Sequence, residues 1–241
     1  MSKMLNAFLL LPLFVLSLHA GENPSEPAPR TKEYGWMSVN TWKGKHDAFL
    51  KRVKEGPIDL LFLGDSITEG WGNNEAWKKN YVPLNAANFG IGGDVTQNVL
   101  WRITNGEIEG VSPKAIVLMI GTNNFGLHGD KEDDVVRGIT TIVQTLRTKL
   151  PASKILLVGI FPRDEKPTSH FRAKSKKVND QIAKLDDGKN IRYLDIGAKL
   201  TNPDGTLSKE AMPDFLHLSA KGYEIWAEAM KPLLTELMGA K

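Results

Sequence analysis

The chain has 241 residues, of which 41% are hydrophobic and 24% charged, and carries a net charge of +3. This is the composition of an ordinary globular domain with a substantial core. Its cations are interspersed with Asp and Glu, so no basic stripe points to nucleic acid, and the four cations between Arg172 and Lys177 read as a solvated helix face. Cysteine is absent, which excludes disulfides, a thiol nucleophile, a lipid-modified cysteine anchor and any zinc site with thiolate ligands.

Residues 1–20 read as a signal peptide: Lys3, an apolar run from Ala7 to Leu18, then Leu18-His19-Ala20 with a small residue at the cut. The run is too short and too interrupted to span a bilayer. The mature chain is therefore expected to be exported, periplasmic or secreted, without a stable membrane anchor. Residues 21–33 contain Pro24, Pro27 and Pro29 and read as an extended linker. One domain is expected over 34–241.

Within that domain, apolar runs alternate with helical periods. Ile58–Leu63, Ala115–Ile120 and Ile155–Ile160 are short, rich in β-branched residues and bounded by Gly or Pro, the pattern of strands buried on both faces. Asn85–Phe89 and Ile191–Ile196 are weaker strand candidates. Between them, Val95, Val99, Leu100 and Ile103 recur at helical spacing, as do Val135, Ile139, Ile142, Val143 and Leu146 up to Pro151. Ile225, Trp226, Met230, Leu233 and Leu237 describe a last helix that Ser219 can cap. This alternation predicts a parallel sheet between helical layers, with its ligand site beyond the carboxyl ends of the strands.

Three segments at that edge carry chemistry. Leu60 to Gly70 reads LLFLGDSITEG and places Ser66 just past the first strand, where Gly64 allows a tight turn. Alone, Gly-Asp-Ser is a common polar turn. Asp214-Phe-Leu-His217 precedes the last helix and can supply both an imidazole and the carboxylate that fixes its tautomer, which a serine nucleophile needs. His46, His128 and His170 are rated ordinary surface or structural histidines. Asn88-Phe-Gly-Ile-Gly-Gly-Asp94 and Gly121-Thr-Asn-Asn124 follow the second and third strands and offer backbone and amide donors for a developing oxyanion. Each segment has a bland reading as a turn or cap. Together, at one edge of one sheet, they point to acyl transfer by Ser66, Asp214 and His217.

These blocks, with Val99-Leu-Trp-Arg102 and Pro162-Arg163, resemble the SGNH, or GDSL-type, hydrolases, most closely the catalytic subunits of the intracellular platelet-activating factor acetylhydrolases. The likeness runs from about Trp42 onward. It implies a flavodoxin-like three-layer α/β/α sandwich with a five-stranded parallel sheet, and no metal or organic cofactor. Ser66 would be the nucleophile, His217 the base and Asp214 its orienter. The N–H groups of Ser66 and Gly93 and the side chain of Asn123 would form the oxyanion hole. A homodimer is also implied. Asn124 stands where the wider family often has Asp, a feature shared with the acetylhydrolase branch, and a signal peptide is unlike the intracellular enzymes. Acetylated sugars therefore stand beside lipids as expected ester substrates. Two other readings are a catalytically silent glycan- or partner-binding member of the fold, and a nucleotide binder suggested weakly by Gly90-Ile-Gly-Gly-Asp-Val95.

Overall fold

The computed structural model describes residues 23–72 and 74–239, so the expected signal peptide lies outside the described residues. Five strands form one all-parallel sheet: β1 (Leu60–Gly64), β2 (Ala86–Gly90), β3 (Ala115–Met119), β4 (Lys154–Val158) and β5 (Ile191–Leu194). Their spatial order is β2-β1-β3-β4-β5, as the flavodoxin-like expectation requires. The helices in chain order are α1 (Val39–Arg52), α2 (Ser66–Glu69), α3 (Glu75–Asn80), α4 (Thr96–Thr104), α5 (Glu132–Lys149), α6 (His170–Ile182) and α7 (Ala220–Met238).

Strand side chains alternate between the two faces. Leu61, Leu63, Ile116, Leu118, Ile155 and Leu157 pack with Val99, Ile139 and Val178 from α4, α5 and α6. Leu60, Phe62, Val117, Leu156 and Val158 pack with Trp77 of α3 and with Trp226 and Met230 of α7. Both faces are covered, which is why these strands read as unbroken apolar runs. Ser219 caps α7 as predicted, its Oγ accepting from the Gly222 N–H at 3.1 Å.

The strand ends differ from the sequence reading for physical reasons. Ile58 is buried but precedes the β1 ladder. Ile160 lies beyond β4, where the Asn179 side chain satisfies its N–H at 2.8 Å and its carbonyl at 3.0 Å in place of a neighbouring strand.

The segment expected to be a free linker is packed instead. Residues 23–33 form no helix or strand, as their prolines dictate, yet Pro24 and Arg30 are buried. A proline-rich backbone has carbonyls with no local donors, and the start of α4 supplies them. Thr96 Oγ1 donates to the Pro24 carbonyl at 2.9 Å and Asn98 Nδ2 to the Ala28 carbonyl at 3.0 Å. In return the Ala28 N–H donates to the Gln97 carbonyl at 3.1 Å. Among the described residues, the packed unit therefore begins at Asn23 rather than Tyr34.

Candidate active site

The strand order reverses between β1 and β3, and the loops leaving their carboxyl ends diverge there. After β1 the chain turns at Gly64, where a β carbon would collide with Thr68 Oγ1 and the Met119 carbonyl. Asp65 then caps α2, its Oδ1 accepting from the Ile67 N–H at 3.0 Å, and Ser66 becomes the first helical residue. Asp65 is wholly buried and its Oδ2 has no partner among the described residues. Burial pushes its pKa up to about 7, with the Ile67 N–H opposing and the Asp94 charge adding to the rise.

The segment before α7 brings its imidazole back to this turn. Ser66 Oγ lies 3.0 Å from His217 Nε2, and His217 Nδ1 lies 2.7 Å from Asp214 Oδ2. Asp214 Oδ1 also accepts from the N–H groups of His217 at 2.7 Å and Leu216 at 3.0 Å. Partial burial works to raise the Asp214 carboxyl, but these bonds outweigh it and hold its pKa below the ordinary value. The two side chains remain well exposed, at 45% for His217 and 56% for Asp214. Between them Phe215 has φ 58°, a left-handed conformation costing a non-glycine residue about 1–3 kcal/mol. The Phe215 carbonyl accepts from the N–H of Asp164, another left-handed residue, at 2.9 Å.

The glycine segment after β2 and the amide after β3 complete the cluster. Gly93 has φ 74°, which suits a residue without a side chain. Among the described residues, neither the Ser66 N–H nor the Gly93 N–H has a protein acceptor. Asn123 Nδ2 donates to the Asp94 carbonyl at 3.1 Å, which engages one of its two hydrogens. Ser66, Gly93, Asn123 and His217 line one cleft of about 390 Å³. Met37, Glu69, Arg163, Leu127 and Leu216 line it too, and Trp36 closes one side against Gly93.

Behind the glycine segment lies a buried polar network. Asp94 accepts from Trp42 Nε1 at 2.6 Å, from Arg102 Nε at 2.8 Å and from Arg30 at 3.3 Å. Arg102 also bonds Glu107, and Glu107 reaches His46 Nδ1 at 2.9 Å. Burial drives the Asp94 pKa up to about 6 against the pull of Arg102 and Arg30. His46 is thus structural, and His128 meets Gln97 at 3.4 Å, away from Ser66. His170 opens α6, its ring tilted against that of Phe171 at 4.0 Å.

Every site residue expected from the sequence falls in or beside this cleft. Trp71, Phe125, Leu127 and Leu216 flank the motifs in sequence and are each expected as cleft walls; Leu127 and Leu216 line the cleft, whereas Trp71 and Phe125 are buried in the core. Sequence reasoning missed Glu69, Trp36 and Arg30. Glu69 could have been found, since it stands one helical turn beyond Ser66. Arg163 appeared in a family block with no role attached. It lies in the cleft wall with its guanidinium 4.4 Å over the Phe171 ring. Among the described residues, no group of three or more His, Asp and Glu is placed to hold a metal ion, and no helix is long and apolar enough to cross a membrane.

The family model of the GDSL-like lipases/acylhydrolases matches residues 62–225, which include all three strand-end loops and the 214–217 turn. The chain is 41% identical over 199 residues to the platelet-activating factor acetylhydrolase IB subunit alpha2 of Rattus norvegicus, covering 82% of this chain and 85% of the relative. It is 37% identical over 222 residues to the subunit alpha1 of Bos taurus, covering 90% and 91%. The crystal structure of a GDSL-like lipase from Bacteroides thetaiotaomicron superposes with a TM-score of 0.67 at 19% identity, covering 79% of this chain and 97% of that one, which shows the shared fold. The chain belongs to the GDSL-like lipase/acylhydrolase family and is a hydrolase of ester bonds.

Proposed function

We propose that the enzyme cleaves short acyl esters, acetyl esters foremost, of carbohydrates or lipids through an acyl-enzyme on Ser66. One observation carries this reading: the unbroken line from Asp214 Oδ2 through His217 to Ser66 Oγ, with links of 2.7 Å and 3.0 Å. In the first step His217 Nε2 takes the Ser66 proton as Oγ attacks the ester carbonyl. The imidazolium then protonates the departing alkoxide, and the alcohol leaves. Water enters by the same route, its proton passing to His217, and the acid is released as Ser66 recovers its proton. Asp214 holds the Nδ1–H tautomer and stabilises the imidazolium. The N–H groups of Ser66 and Gly93 and the remaining Asn123 hydrogen receive the tetrahedral oxyanion.

The restriction to short acyl groups rests on the likeness to the platelet-activating factor acetylhydrolase subunits. The cleft walls are apolar at Trp36, Met37, Leu127 and Leu216, and Glu69 and Arg163 add one charge of each sign. Ser66→Ala is expected to lower kcat on p-nitrophenyl acetate by about 10⁴-fold or more while the fold is kept. Turnover at the wild-type rate in that variant would remove Ser66 from the mechanism. A series of p-nitrophenyl esters should show kcat/KM falling as the acyl chain lengthens, and a rise toward long chains would refute the short-acyl reading.

A further inference from the structure

The glycine pair that carries the Gly93 N–H is held from both sides. Gly92 donates its own N–H to Glu69 Oε2 at 2.6 Å, and Glu69 is ion-paired to Lys45 of α1. The Gly92 carbonyl accepts from Arg30 Nη2 at 2.7 Å, and the same nitrogen lies 3.3 Å from Asp94 Oδ1. That carbonyl belongs to the planar trans peptide whose other end is the Gly93 N–H, and no peptide bond among the described residues is cis. In a trans peptide the C=O and N–H point in opposite directions, so a cation gripping the oxygen also sets where the hydrogen aims. It polarises the unit as well, making the N–H a stronger donor.

We infer that Arg30 is a positioning residue for the oxyanion hole, acting through the Gly92–Gly93 peptide. This rests on the acyl-enzyme reading above. The inference makes the proline-rich segment part of the catalytic apparatus rather than a tether. Two successive glycines have wide conformational freedom, and Gly93 sits at φ 74° with no side chain to wedge it. Something external must select one orientation of their shared peptide. Arg30 is suited to that: it is 4% exposed, its charge is compensated by a fully buried Asp94, and its guanidinium lies 5.5 Å from the Tyr34 ring and 6.0 Å from the Trp36 ring. The backbone bond from Ala28 to Gln97 anchors the chain two residues before it.

The test uses the full chain with Arg30→Met and Arg30→Lys. Asp94 keeps Arg102 and Trp42 in both variants, which favours retention of the fold. Arg30→Met should lower kcat on p-nitrophenyl acetate by about 10- to 100-fold with KM changed less than about twofold. It should weaken inhibition by trifluoroacetone, whose serine adduct carries the same oxyanion, by a similar factor. Arg30→Lys should restore part of both losses. A lower melting temperature with unchanged kcat and trifluoroacetone affinity would make Arg30 a strap only and overturn the inference. Should Arg30→Met fail to fold, the same two readouts on Arg30→Lys decide: both must fall short of wild type, and equality with it overturns the clamp. Full turnover in Ser66→Ala would defeat the acyl-enzyme reading instead. The clamp is then read without activity, from the NMR amide shift of Gly93 in Ser66→Ala with and without Arg30→Lys, where an unmoved resonance counts against it.

Discussion

The two halves of the cleft are built in opposite ways. The Ser66, Gly93 and Asn123 side rests on groups with no solvent exposure, namely Asp65, Asp94, Arg102 and Glu107, and Asp94 and Glu107 are tied to Trp42, Arg30 and His46, which lie 52 to 64 residues away in sequence. The Asp214–His217 side is one exposed turn whose bonds close within four residues. Their carboxylates shift accordingly: burial raises Asp65 and Asp94, while local hydrogen bonds lower Asp214. Charge stabilisation requires dipoles fixed before the reaction, which a dry network provides. Proton transfer requires an imidazole that can be reached and can turn between two partners, which an exposed turn provides.

The largest loss of activity is expected at the exposed turn. Asp214→Asn should cost about 10⁴-fold in kcat, because the imidazole loses the acceptor that holds its tautomer. Stability should change little, since Asp214 is more than half exposed. Paired urea melts and steady-state kinetics measure both. A large stability loss would show that the turn is structural and not merely chemical. The inverse result is expected at Arg102→Ala. That change leaves Asp94 and Glu107 in the interior without their main cation, and breaking a buried pair in this way costs about 3–5 kcal/mol. Urea unfolding measures it, and a loss below about 1 kcal/mol would mean that the network does not support the glycine segment.

How much of this was legible in the chain follows the same division. Ser66, Asp214 and His217 were readable because strand-end turns and an i, i+3 pair leave local marks. The sheet was readable because strands covered on both sides become continuous apolar runs. Arg30 left no such mark: its partners Gly92 and Asp94 lie 62 and 64 residues away, and its neighbours are prolines that also suit a linker. His46 and Glu107, 61 residues apart, are equally silent, because a long-range polar pair has no period. Trp71 and Phe125 misled in the other direction. Proximity to a motif in sequence says nothing about which layer a large side chain enters, and the packing at α3 and α7 drew Trp71 inward.

The smallest effect is expected in the pH dependence of stability. Asp65 has its folded-state pKa raised from 3.8 to about 7, so between those values the folded protein retains a proton that the unfolded chain releases. The stabilising contribution is complete below pH 3.8 and is lost as pH rises through about 7. Across that window this one group should lower unfolding free energy by about 1.4 kcal/mol per pH unit. Asp94 contributes a slope of the same sign, so the informative quantity is the difference between wild type and Asp65→Asn at each pH. Asn at position 65 keeps an oxygen for the Ile67 N–H and cannot ionise, so that difference should move in favour of the variant as pH rises from 5 to 7. A constant difference over that range would mean that the Asp65 carboxylate finds a partner on ionising, and the contrast between a dry half and a wet half would then hold for Asp94 alone.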